Sequence, residues 1–323
     1  MKWLTEFLSK RLPVLILLIS VITYFSSYYL KVPSWIPSLL LGIVIFFTGL
    51  SMELDVIKGI RRKKRELFMA SFLKWTITVF ISIGMAYLFF SSKPEIAAGF
   101  ILSGTVPSAT AATLYTFLAG GNTSLVIVST LIDVAISPIV TPLSLFGITD
   151  ASVTISFFDL LKSFLLIVVL PLSAGIVIQR SFPDSKYHAK SATKFGSSLA
   201  LLLTVHIIVG NGRESIQQEI SILPILCLAI FIQVVFPMIA SYFISKKLSI
   251  SEEDSRAILF QVGLCNSALA AILAFDFIGE LAAIAPIINM IINLSVGSWI
   301  SNYFARKNIV KVIEIRQNAE AIK

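Results

Sequence analysis

The chain has 323 residues, of which 56% are hydrophobic and 14% charged, with a mean hydropathy of +0.90. That is too apolar for an ordinary soluble domain, and the net charge of +8, which in a soluble protein would suggest nucleic acid, comes from short loops between apolar blocks. Cys227 and Cys265 both fall inside such blocks, so no disulfide framework is expected, and no metal-ligand spacing, glycine-rich phosphate loop, HExxH or GxSxG motif occurs.

Residues 1–11 read as an amphipathic segment, with Trp3, Leu4, Phe7 and Leu8 on one side. A signal peptide would need a small-residue cleavage site after the following apolar run, and none is present. Ten apolar blocks then fall at 12–30, 35–53, 66–92, 95–117, 122–147, 157–179, 193–212, 221–243, 255–277 and 280–304. Each approaches the ~20 residues that cross ~30 Å of hydrocarbon. Ten membrane-spanning helices place 21 of the 26 Lys and Arg on one side and only Lys31, Lys93 and Arg213 on the other. Lys74 and Lys162 fall within spans. This asymmetry puts both termini, including the polar tail 305–323, in the cytoplasm, and the expected location is the plasma membrane. The Arg61–Arg65 run reads first as a topology determinant and second as a contact for anionic lipid heads.

Ten spans divide into two five-helix halves, 12–147 and 157–304, with the boundary near 148–156. An odd number per half inverts the second half in the membrane. Ser108-Ala109-Thr110-Ala111-Ala112 in the fourth span has a counterpart in Ser267-Ala268-Leu269-Ala270-Ala271 in the ninth. Inverted repeats with interrupted helices are the architecture of many secondary transporters. Pro107 supplies the interruption in one half; Gly263 with Asn266-Ser267 is expected to supply it in the other. The stretch Gln261-Val262-Gly263-Leu264-Cys265-Asn266-Ser267 carries polar groups that hydrocarbon would penalise, which marks it as a binding site or helix contact.

Three stretches, Gly49–Leu54, Pro107–Asn122 and Gln261–Ala271, give the chain a likeness to a known group, most specifically through Thr110-Ala111-Ala112-Thr113-Leu114-Tyr115-Thr116-Phe117-Leu118-Ala119-Gly120-Gly121-Asn122. The sequence resembles the bile acid:sodium symporter family of ten-span organic-anion transporters. The resemblance implies an all-α membrane fold of two five-helix inverted repeats. Its fourth and ninth helices unwind and cross at the membrane centre, and a core of spans three to five and eight to ten moves against a panel. It also implies two sodium sites, and here the side chains depart from the family pattern. Ala112-Thr113 stands for Ser-Asn, Val126 and Thr130 for two hydroxyls, and Gln261 for a shared Glu. Cys265 stands for a Gln, and Lys74 for a third-span Gln. Thr113, Thr130 and Gln261 would remain as a degenerate sodium site, since hard cations want oxygen ligands.

Lys74 and Asp133 lie at depths of roughly 12 and 17 Å by helical rise, close enough to pair, and a buried charge requires a partner or a neutralising shift. Either the Lys74 ammonium replaces a sodium ion, with Asp133 as counter-charge or proton carrier, or the two fix packing alone. Ion coupling is thus assigned to Lys74, Thr113, Thr130, Asp133, Gln261 and Cys265. Substrate binding is assigned to Pro107, Ser108, Thr110, Thr113, Asn266, Ser267 and Asn293. His206 reads as a packing or interfacial residue, and Gln233, Asn289 and Asn293 as cavity-lining or interhelical amides.

The sequence therefore points to a non-enzymatic secondary transporter of a small organic anion, working by alternating access in a lipid bilayer. It needs no cofactor, and sodium or a proton is its coupling ion. A proton-driven efflux carrier of the auxin-efflux type and an ion channel are the alternatives. Substrate, transport direction and oligomeric state, monomer or homodimer, stay open.

Overall fold

A computed structural model describes residues 2–26, 28–33, 35–52, 60–146, 156–182 and 184–321. Glu53, Leu54 and Lys58, and residues 148–155 of the expected boundary between halves, lie outside the described residues. The described residues form helices α1 (Lys2–Phe25), α2 (Trp35–Ser51) and α3 (Lys64–Phe90), then α4 (Pro94–Thr105), α5 (Thr110–Leu118) and α6 (Thr123–Ser144). There follow α7 (Phe157–Ser181), α8 (Ser185–Asn211), α9 (Leu223–Lys247), α10 (Glu252–Gly263), α11 (Ser267–Phe277) and α12 (Ile284–Ala321). Among the described residues, five helices are long and apolar enough to cross a membrane: Lys64–Phe90, Thr123–Ser144, Phe157–Ser181, Ile220–Lys247 and Ile284–Lys307. Shorter apolar helices run over Arg11–Phe25, Trp35–Ser51, Phe195–Asn211 and Ser267–Phe277.

Local chemistry sets the helix starts. Pro94 occupies the first turn of α4, where its missing N–H costs nothing. The side chains of Asn122, Ser156, Ser251 and Asn266 accept from Leu125 N, Asp159 N, Asp254 N and Leu269 N, capping α6, α7, α10 and α11. Three ends differ from the sequence expectation. Helix α1 runs unbroken from Lys2 through residue 11, with Pro13 inside it. Helix α8 begins at Ser185, and α12 continues to Ala321 instead of ending near 304. Polar residues are good helix formers, so hydropathy ends before the helix does. Helices α3 and α7 each contain a π turn, at Lys74–Thr78 and Leu165–Val169.

Contacts at the loops define two ends of the bundle. At one, Lys63 Nζ lies 2.7 Å from Asp254, Asn122 Nδ2 donates to Asp254 at 2.7 Å, and Lys246 pairs with Glu252 at 3.0 Å. At the opposite end Arg213 donates to Ser26 O at 2.8 Å, Lys93 pairs with Glu219, and Ser38 Oγ donates to Asp276 at 2.5 Å. Helices α2 and α7 pack backbone to backbone. A Cβ on Gly49 would run into Leu172 O, and one on Gly175 into Phe46 O. Buried side chains concentrate on α4, α10, α11 and the first turns of α12. Phe80, Leu88, Leu228, Phe231 and Phe243, on α3 and α9, face outward.

Candidate functional site

Helix α4 ends at Thr105 because Pro107 cannot continue its hydrogen-bond ladder, and α5 restarts at Thr110. Helix α10 ends at Gly263 and α11 restarts at Ser267. The two interruptions meet. Ser108 and Cys265 form an antiparallel bridge, with Ala109 N donating to Leu264 O at 3.0 Å and Asn266 N to Pro107 O at 2.8 Å. Each break thus satisfies backbone groups freed by the other, which is what a buried interruption requires.

Around this bridge the side chains form one buried polar network. Asp133, fully buried on α6, accepts from Trp75 Nε1 at 2.9 Å and from Gln261 Nε2 at 2.8 Å, and contacts Ser108 Oγ at 2.9 Å. Thr130 Oγ1 donates to Gln261 Oε1 at 3.2 Å, which fixes the amide so that its NH₂ faces Asp133. Ser108 Oγ also lies 2.6 Å from Gln261 O. Lys74, likewise fully buried, places Nζ 2.7 Å from Cys265 Sγ. Cys265 Sγ in turn faces Gly104 O at 3.7 Å.

On the far side of the break, Asn293 Nδ2 donates to Cys265 O at 2.7 Å, and Ser267 Oγ to Asn289 Oδ1 at 2.6 Å. Asn289 Nδ2 reaches Gln233 Oε1 at 3.2 Å, whose Nε2 bonds Ser82 Oγ and Phe100 O, both at 2.8 Å. Three polar atoms in or beside this network have no hydrogen-bond partner among the described residues: Asn293 Oδ1, and Ser129 Oγ and Ser137 Oγ, one turn either side of Asp133.

The expected site residues divide into two groups. Lys74, Pro107, Ser108, Thr130, Asp133, Gln261, Cys265, Asn266, Ser267 and Asn293 converge on the crossing. Thr113 is half-buried and Thr110 exposed at the start of α5, and neither joins the bonded network. Lys74 and Asp133 are within range of each other's charge, but no direct ion pair joins them. The Asp133 carboxyl group bonds Trp75, Ser108 and Gln261, and Lys74 turns to Cys265. Trp75 was not anticipated. It follows Lys74 in the π turn Lys74–Thr78, and both residues contribute to the site. His206 bonds Thr23 Oγ1 at 2.7 Å and Leu30 N at 3.1 Å, tying α8 to the end of α1 away from the break. A separate cavity of about 490 Å³, lined by Trp35, Ser38, Ser163, Phe275, Asp276 and Glu280, also lies away from the break.

The model of the sodium bile acid symporter family matches residues 38–219. The chain is similar to YocS of Bacillus subtilis (strain 168), described as an uncharacterised sodium-dependent transporter, with 30% identity over 88% of this chain and 87% of YocS. It is 26% identical to BASS1 of Arabidopsis thaliana, described as a probable chloroplastic sodium/metabolite cotransporter, over 87% of this chain and 69% of that protein. A rice protein described as a probable chloroplastic sodium/metabolite cotransporter, BASS2, is 22% identical over 95% of this chain and 73% of its own length. The polar crossing of two broken helices therefore sits in a membrane transport protein, not an enzyme, and the chain belongs to the sodium bile acid symporter family.

Proposed function

We propose that the protein is an alternating-access carrier of a small organic anion in the plasma membrane, coupled through a proton on Asp133 and a fixed ammonium at Lys74. In this reading the ten helical rods, counting α4–α5 and α10–α11 as one each, are ten spans in two inverted five-helix repeats. The basic residues at the Lys63–Asp254 end make that end cytoplasmic. The anion binds where α5 and α11 begin. There, the dipoles of the helix N-termini favour negative charge, with Pro107, Ser108, Thr110, Thr113, Asn266, Ser267 and Asn293 around it.

One observation carries the proton assignment. Ser108 has a single hydroxyl proton but faces two acceptors, Gln261 O at 2.6 Å and Asp133 at 2.9 Å. Both contacts are satisfied together when Asp133 carries a proton and donates it to Ser108, which then donates to Gln261 O. The Lys74 ammonium at the α10–α11 break supplies the positive charge that a bound sodium ion would bring there. A second reading rests on the oxygens of Asp133, Thr130, Gln261 and Ser108, which could hold sodium once Asp133 is ionised. It accords with the sodium-dependent descriptions of the relatives.

Purified protein in proteoliposomes would be assayed with a panel of small radiolabelled carboxylates under separate proton and sodium gradients. The proposal predicts saturable uptake and counterflow, stimulated by an inward proton gradient and lost in Asp133→Asn. Uptake driven by sodium alone would favour the second reading. Non-saturable flux without counterflow would point to a channel.

A further inference from the structure

Cys265 and Lys74 make a pair whose chemistry the transport reading does not use. Their reactive atoms lie 2.7 Å apart. Lys74 is fully buried, and Cys265 is 3% exposed. Lys74 opens the π turn of α3, and its side chain reaches the break that carries the thiol. Cys227, the one other cysteine in the chain, is free and exposed on α9. A sulfenic acid formed on Cys265 therefore has no second thiol beside it to make a disulfide. Sulfenic acids also condense with nitrogen nucleophiles, and the nitrogen already in contact is Lys74 Nζ.

We propose that Lys74 and Cys265 are an oxidative modification site, closing to a covalent sulfur–nitrogen cross-link in the presence of a peroxide. In the first step the thiol S–H becomes S–OH, the peroxide O–O bond breaks and one water leaves. In the second, the Lys74 nitrogen attacks sulfur, the S–N bond forms and the S–O bond breaks. Starting from the ammonium, nitrogen gives up two protons: the first is released and frees the lone pair that attacks, and the second departs with the hydroxyl as water. Thiol, ammonium and one peroxide thus yield a sulfenamide, two waters and one proton. The sulfur is oxidised and the peroxide oxygens are reduced. Excess thiol reverses the link by attack on sulfur, as in disulfide exchange. The product joins the π turn of α3 to the break between α10 and α11 and replaces a fixed positive charge with a neutral nitrogen. Uptake is accordingly lost on oxidation and restored by reductant.

The test uses full-length protein in lipid nanodiscs treated with hydrogen peroxide. The linked Lys74–Cys265 peptide pair should weigh about 2 Da less than the sum of its two unlinked peptides, for two hydrogens lost. Fragmentation should recover one linked peptide pair containing Lys74 and Cys265, and dithiothreitol should release it. Lys74→Arg keeps the charge but removes the attacking amine. In that variant the sulfenic acid should persist and take a dimedone tag at Cys265, while Cys265→Ser should give neither product. If either variant fails to remain monodisperse, the linked peptide in the unaltered protein decides the question. The proposal is overturned if unaltered protein shows a dimedone-tagged or unreacted Cys265, with no linked peptide, under conditions that fully oxidise Cys227.

Discussion

Asp133→Ala is the substitution that most directly probes the polar crossing. It removes the acceptor shared by Trp75 Nε1 and Gln261 Nε2 and the partner of Ser108 Oγ and leaves those groups buried. An unsatisfied buried donor costs about 1–3 kcal/mol. Because the three contacts share one carboxyl group they cannot be summed independently, and a total of about 3–5 kcal/mol is expected. At about 2–4 °C per kcal/mol, the Tm in detergent should fall by about 10 °C. Asp133→Asn separates bonding from protonation. Its amide oxygen still accepts from Trp75 and its NH₂ can donate to Ser108, so only the Gln261 contact is spoiled, at a cost of about 1 kcal/mol. Thermal unfolding followed by tryptophan fluorescence measures both. An Asp133→Ala Tm within about 2 °C of the unaltered protein would mean that the carboxyl group is not what these donors bond to.

Three further outcomes follow from the surroundings of the site. Burial would raise the Asp254 carboxyl, but bonds from Lys63, Ser251 and Asn122 outweigh it and hold it below its ordinary value. A lowered acid stabilises the fold above its unfolded pKa of about 3.9 and loses that contribution as pH falls through the folded value. Asp254→Asn should therefore cost about 1–3 kcal/mol at neutral pH and flatten the acid limb of a Tm-against-pH curve. Glu280 shows the opposite sign: burial, with Glu214 and Glu95 nearby, pushes its carboxyl up despite a bond from Ser215. Its ionisation opposes folding as pH rises, so Glu280→Gln should raise the Tm at pH 8 relative to pH 4, as differential scanning fluorimetry would read. Gly175→Ala drives a methyl into Phe46 O where α2 and α7 touch; overpacking costs about 1–3 kcal/mol, seen as a lower Tm with the polar network intact.

The breaks in the helices were legible because their causes are single residues. Pro107 removes a donor in the middle of an apolar run, and Asn266 accepts from Leu269 N to start α11. The polar residues of the crossing were legible too, since amides, hydroxyls and charges in apolar blocks stand out. What bonds to what was not. Rise per residue gives the depth of Lys74 and Asp133 but not the direction in which each side chain points, so whether the two pair stayed open, and the structure gives them two separate sets of bonds. Trp75 was invisible because a π turn has no marked sequence signature. Thr113 was assigned by position in the family pattern, and the restart of α5 leaves it half-buried beside the network. The fusion of the amphipathic segment 1–11 with the first span and the length of α12 were not legible because lysine, glutamate and glutamine continue a helix beyond its apolar part.

The measurement that bears most directly on the central claim is uptake by the unaltered protein with external sodium replaced by choline at a constant inward proton gradient. A fixed Lys74 ammonium and a protonatable Asp133 predict the same initial rate in both salts. Loss of uptake in choline, recovered in proportion to added sodium, would contradict the account and assign the coupling to a sodium ion held by Asp133, Thr130 and Gln261.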